Sequence, residues 1–232
     1  MKRFYREALA APRVDGWQVE LDGRAVKTQG GGAQLLPSEQ LAAAMAREWQ
    51  DQGEELDLAR FVLRDLADFA LDTVAPDPAE TLRALLPYAE TDTLCYRAEP
   101  GDSLLARQDQ LWEPLLHSAE TKWDLRFVLV AGIIHQPQPP ETLGKITALL
   151  AQYDPFALAA LRTTASLAAS LVIGLLALEP GTDAAGLWNA ANLEEDWQAE
   201  RWGSDAEALA LRTRRGAAFE AAVRFAGLAR GE

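Results

Sequence analysis

An α+β fold is predicted for this chain of 232 residues: a small N-terminal α+β domain that contains a β-hairpin, followed by an all-helical C-terminal bundle. Three observations carry the prediction. The segment "GWQVELDGRAVKT" (residues 16–28) alternates apolar and polar side chains around Asp22-Gly23. From residue 38 onward, apolar residues recur at three- and four-residue spacing, the period of a helix with one buried face. Near the middle, "HQPQPP" (residues 135–140) is half proline, a composition that favours an extended connector. The expected organisation is therefore an N-terminal α+β domain over 1–134, a proline-rich linker over 135–140 and a C-terminal helical domain over 141–232.

Each element has its own signal. Trp17, Val19 and Leu21 alternate along a strand, and Asp22-Gly23 supplies two residues that tolerate positive φ, as a two-residue hairpin turn requires. The glycines at 30–32 precede no Lys-Ser pair and open no helix of a βαβ unit, so they read as a flexible connection, not a phosphate loop. Ser38 is placed to cap a helix carrying Leu41, Met45 and Trp49 on one stripe. Leu58, Phe61, Val62, Leu66, Phe69 and Val74 continue the helical spacing, and Asp77-Pro78 is a cap followed by a first-turn proline. Asp102 caps a fourth helix, with Leu104, Leu105, Leu111, Trp112, Leu115 and Leu116. Pro114 lies inside that pattern and predicts a kink or restart, because an interior proline costs ~3 kcal/mol. "RFVLV" (126–130) is β-rich and short enough for a strand.

Beyond the linker the pattern predicts helices over 141–152, 155–178, 183–202 and 205–228, with Thr182 and either Ser204 or Asp205 as N-caps. The run 156–178 approaches the length of a membrane span. Arg162, Thr163, Thr164, Ser166 and Ser170 interrupt it, so it reads as one buried central helix.

The formal net charge is −13. This argues against non-specific nucleic-acid binding and against docking on an anionic membrane surface, both of which need a basic footprint. It permits a partner with a basic patch, or serves solubility alone. A single cysteine, Cys95, excludes an internal disulfide and any multi-cysteine metal site. It lies between Leu94 and Tyr96 and reads as a buried structural thiol. "MKRFYREALA" lacks the apolar core of a secretory signal. The two histidines, His117 and His135, belong to no catalytic or metal-binding spacing. No serine elbow, H-E-x-x-H, C-x-x-C, EF-hand, phosphate loop or dinucleotide fingerprint occurs. No catalytic, cofactor or metal residue is assigned.

One stretch stands apart: "LEEDWQAERWG", residues 193–203. On a helix Glu194, Trp197, Gln198 and Arg201 share a face, at spacings i, i+3, i+4 and i+7. Glu195 and Trp202 fall near each other along a neighbouring face. A metal site would need more converging oxygens than one helix offers. Two readings remain: a solvated acidic face anchored by a tryptophan, or a recognition surface, since aromatic and arginine beside carboxylate is the composition of interface hot spots. Glu194, Glu195, Trp197, Gln198, Arg201 and Trp202 are the candidate partner-binding residues.

"MKRFYREA", "GWQVELDGRAVKT", "LAAAMAREWQDQGEELD" (41–57), "YAETDTLCYRAEP" (88–100), "LWEPLL" (111–116) and "LEEDWQAERWG" occur in this order along nearly the whole chain. Together they resemble the assembly chaperones of the ATP synthase catalytic sector. The resemblance implies a non-enzymatic, cofactor-free protein that binds the free alpha subunit, shields its future interface with the beta subunit and leaves as the ring forms. It implies a client-binding role for Glu194, on which the family's acidic position falls. Trp49 also matches a family position, but it continues the Leu41–Met45 stripe and reads as core. "TDTLCYR" reads as structural. With no transit peptide visible, the chain looks like a bacterial cytoplasmic member, and a monomer is the expectation for a helper covering one subunit. The other open readings are a helical adaptor for a different partner and a hydrolase built on an Asp/Glu cluster.

Overall fold

The computed structural model describes residues 1–132, 134–203 and 205–232. Strands β1 (Ala8–Arg13), β2 (Gly16–Leu21) and β3 (Arg24–Ala25) are followed by helix α1 (Glu39–Gln50), a 3-10 turn (Leu58–Arg60) and helix α2 (Val62–Phe69), which widens into a π-turn (Ala70–Val74). Then come α3 (Pro78–Glu90), β4 (Tyr96–Arg97), α4 (Ser103–Trp123), β5 (Val130–Ala131), α5 (Pro140–Leu150), α6 (Pro155–Ala168), α7 (Leu171–Ala177), α8 (Ala184–Ala191), α9 (Leu193–Trp202) and α10 (Ala206–Ala229). The class is α+β, as the sequence predicts. The chain forms two compact units, one from Met1–Pro78, Asp154–Ala160 and Ala221–Glu232, the other from Ala79–Tyr153 and Leu161–Glu220. Residues 135–140 lie inside the second unit.

In the first unit the predicted hairpin forms between β2 and β3, with Glu20 opposite Ala25. Asp22 and Gly23 both have positive φ, 48° and 77°. Strand β1, which the sequence reading missed, pairs antiparallel with β2, from Ala8 opposite Leu21 to Arg13 opposite Gly16. Its alanines and Pro12 hide it. It is an edge strand, where the missing N–H of a proline is tolerated. Helix α1 starts at Ser38, whose hydroxyl accepts the Leu41 N–H (3.1 Å) and donates to the Leu228 carbonyl. Leu41, Met45 and Trp49 are buried, and Trp49 packs against Tyr5 and Phe61 at centroid distances of 5.5 and 4.4 Å.

Helix α2 has no cap of its own. Glu48 of α1 reaches its first turn and accepts the N–H groups of Leu63 (2.7 Å) and Arg64 (3.0 Å). The glycine connection at 30–32 is pinned, not loose. Asp72, on the π-turn, accepts from the Thr28 hydroxyl (2.7 Å) and the Gly30 N–H (2.8 Å). A Cβ at Gly30 would meet that carboxylate at 2.9 Å, so a larger residue there would have to push the Asp72 side chain aside. Phe156 and Phe225 bring the later segments into this core, stacked at 6.0 Å.

The second unit corrects several expectations. Helix α4 runs through Pro114 without restarting. "RFVLV" enters a strand only at Val130, where β5 pairs parallel with β4. The preceding backbone finds side-chain partners in place of a strand: Gln138 binds both the N–H and the C=O of Val128 (2.8 and 3.0 Å), and Thr142 donates to the Arg126 carbonyl (2.6 Å). The expected central helix over 155–178 is two helices. Ala169 turns left-handed (φ 49°) and Ser170 caps α7 by accepting the Ile173 N–H (3.0 Å). The expected helix over 183–202 is also two. It bends at Asn192, where the Trp112 indole takes the Ala190 carbonyl (2.8 Å) that a continuous helix would offer to Glu194. Asp183, not Thr182, caps α8, accepting the Gly186 N–H at 2.9 Å. Asp205 caps α10 through the Glu207 N–H (3.1 Å), while Ser204 lies outside the described residues. No described helix is long and apolar enough to cross a membrane.

Candidate functional site

Helix α9 carries all six candidate residues, and the structure separates them into two sets. One set meets α4. Glu194 accepts from Gln108 Nε2 (2.7 Å). Trp197 lies between two guanidinium groups, with Arg107 5.3 Å and Arg201 4.4 Å from its ring centre. Such cation–π contacts hold an aromatic ring without burying it fully. Arg107 also makes a two-pronged ion pair with Glu200 (2.6 and 2.9 Å), and Arg201 donates to the Ser103 hydroxyl (2.9 Å). The Arg107 guanidinium holds the exposed Glu200 carboxyl below its ordinary range. On the α10 side, Asp196 is paired with Arg212 (2.6 Å).

The other set faces outward. Glu195, Gln198 and Trp202 line a groove of about 440 Å³ whose opposite wall is α10, with Ala208, Leu211, Arg212 and Arg215. Trp202 is 77% exposed, and Leu209 (55%) and Leu211 (48%) on α10 are exposed as well. Trp202 and Leu211 line the groove together, the kind of exposed apolar surface that marks an interaction site. Leu209 and Leu211 carried no signal in the sequence reading, because the α10 pattern gave no reason to place them outside.

The three acidic residues of "LEED" do not converge. Glu194 turns to Gln108 on α4 and Asp196 to Arg212 on α10, while Glu195 lines the groove. No group of three or more His, Cys, Asp or Glu able to hold a metal occurs among the described residues.

The second specific motif, "ETDTLCYRAE", is built as a clamp. Asp92 is fully buried and accepts the N–H groups of Leu94 (3.0 Å) and Val172 (2.9 Å). Thr93 donates through its hydroxyl (2.9 Å) and its N–H (3.1 Å) to the carbonyl of Ala169, the residue that breaks the central helix. Burial pushes the Cys95 thiol well above its ordinary range, which is the behaviour of an inert core cysteine. Arg97 is buried over the Trp112 ring and paired with Asp109 (2.9 Å). His135 is held through Nδ1 by the Tyr96 hydroxyl (2.9 Å).

Residues 2–120 match the family described as ATP12 chaperone protein. The crystal structure of Atp12 from Paracoccus denitrificans superimposes with a TM-score of 0.93 at 36% identity, covering 98% of each chain. The chain belongs to the ATP12 chaperone family. A protein of Agrobacterium tumefaciens superimposes at TM-score 0.92 with 34% identity, covering 97% of this chain and 85% of that one. The mitochondrial protein atp12 of Schizosaccharomyces pombe is 26% identical over 219 residues, 88% of this chain and 74% of the relative. The family read from the motifs is thus the family found. Within this ATP12 chain, residue spacing marks α9 as the candidate site but carries no sign of its supports, Arg107, Gln108 and Arg212. Their partners lie 93, 86 and 16 residues away, and only Asp196 and Arg212 share a local stretch.

Proposed function

We propose that this chain is an assembly chaperone of the ATP synthase catalytic sector, that it binds the unassembled alpha subunit, and that the outer surface of α9 with the adjoining face of α10 is the client surface. The observation that carries the reading is the groove lined by exposed Trp202 and Leu211 beside Glu195 and Gln198 in a member of the ATP12 chaperone family. Glu194, Trp197 and Arg201 flank that surface on the side of the helix that meets α4, with Glu194 and Arg201 still exposed. An isolated subunit of an obligate ring exposes a large apolar interface, and such a face aggregates unless covered. A groove with aromatic and aliphatic walls and a charged rim suits reversible cover, because the polar rim limits affinity and the ring partner can displace it. The role needs neither a cofactor nor catalysis. The expected setting is the bacterial cytoplasm, with the chaperone acting as a monomer.

The test is light scattering of purified alpha subunit diluted from denaturant. The wild-type protein is expected to suppress aggregation. Trp202→Ala, which removes an exposed ring, is expected to keep its melting temperature and lose most of the suppression. Suppression undiminished in a folded Trp202→Ala variant would move the client surface elsewhere. A helical adaptor for another partner would show itself by co-purification with a protein other than the alpha subunit. The carboxylate-hydrolase reading gains nothing from the site, since its acidic residues turn to different partners.

A further inference from the structure

We infer that Glu194 serves this surface as a support: it is the exposed end of a hydrogen-bond strut, Ala98 N–H to the buried Gln108 to Glu194, that positions α9 by tying it to the "ETDTLCYRAE" segment. The inference rests on the reading of α9 as the client surface, and it assigns Gln108 as a positioning residue. Gln108 is completely buried in the middle of α4. Its Oε1 accepts the Ala98 N–H at 2.7 Å, and its Nε2 donates to Glu194 at 2.7 Å. The polarity is fixed by chemistry. A backbone N–H can only donate and a carboxylate can only accept, so the side chain between them must offer an acceptor on one end and a donor on the other. Among uncharged side chains of this length glutamine alone does so.

The strut also explains why two motifs far apart in the chain belong together. The segment ending at Ala98 and helix α9, whose first acidic residue is Glu194, are the two ends of one connection through a buried amide. A fully buried polar group is tolerated only when both of its ends are satisfied, so each motif depends on the other. At the α9 end, Glu200–Arg107 and Arg201–Ser103 add two more ties to the same stretch of α4. Glu195, Gln198 and Trp202 are thereby held facing the groove.

A client ion pair and an internal strut predict opposite outcomes for one conservative change. Glu194→Gln removes the charge but keeps an oxygen for Gln108, so the strut survives. Gln108→Glu sets two carboxylates against each other and breaks it. The double variant Gln108→Glu/Glu194→Gln restores it, because the carboxylate introduced on α4 accepts from both the Ala98 N–H and the new amide on α9. Two readouts are taken on each protein: amide hydrogen exchange across 193–202 and suppression of alpha-subunit aggregation. The expected result is that Glu194→Gln resembles wild type in both. Gln108→Glu is expected to speed α9 exchange about tenfold and lose suppression, the size of an unsatisfied buried polar group. The double variant should recover both. Loss of suppression in Glu194→Gln with exchange unchanged would overturn the inference and make Glu194 a direct ionic contact. Unchanged α9 exchange in Gln108→Glu would overturn it as well. If wild type itself fails to suppress aggregation, the client reading falls, while the exchange series still decides the strut.

Discussion

Asp92 should make the protein less stable as pH rises from about 4 to 6. Its side chain is fully buried, and its hydrogen bonds to Leu94, Val172 and Ser170 favour the charged form. Burial outweighs them and pushes the carboxyl from an ordinary 3.8 up to about 6. Inside that window the folded protein still holds a proton that the unfolded chain has released, so stability falls with increasing pH. The contribution is fully present below pH 3.8 and lost as pH passes through about 6. The distance from 3.8 to about 6 corresponds to ~3 kcal/mol. Asp92→Asn imitates the protonated carboxyl and does not titrate. Whatever constant amount its amide loses against one of the two N–H groups drops out when pH values are compared. Urea unfolding of both proteins at pH 4 and pH 7 is the assay. The stability of the variant relative to wild type should rise by up to ~3 kcal/mol between the two. A difference that is flat across this range, or that falls, would refute the assignment of a charge forced into an apolar site.

Four further outcomes follow from the packing. Trp49→Ala should cost ~3–5 kcal/mol by chemical denaturation, since the ring is buried against Tyr5 and Phe61. Trp49→Phe should cost under about 2 kcal/mol, because the indole N–H has no partner to lose among the described residues. Ala169→Gly should leave stability unchanged or raise it by up to ~1 kcal/mol, as relief of the left-handed strain exceeds the added chain entropy. Ser170→Ala should cost about 1–2 kcal/mol, because it uncaps α7. Thermal melts of the two variants check both.

The structure shows where local signals are enough. The Asp22-Gly23 hairpin, the Ser38 and Asp102 caps and the Leu41–Met45–Trp49 stripe all formed as read, because each depends on residues within a few positions of one another. Where a distant group competes for the backbone, local signals do not decide the structure. Thr93 and Asp92 meet Ala169 and Val172 across about 80 residues and help divide the central apolar run into α6 and α7. The Trp112 indole claims the Ala190 carbonyl and bends the chain into α8 and α9. Gln138 stands in for a strand beside Val128.

The candidate site divides along the same line. Composition and spacing mark "LEEDWQAERWG" as a helix with one aromatic–arginine face, and motif order leads to the family, because these are properties of the chain itself. Which of its residues engage α4 was settled by tertiary contact. Gln108 and Arg107 lie 86 and 93 residues before their partners on α9, and no periodicity within the helix reports them. By itself the sequence determined the class, the caps and the family. Only the packed structure decided that Glu194 meets a buried glutamine while Trp202 stands in water, since that depends on which surface of α4 the helix is pressed against.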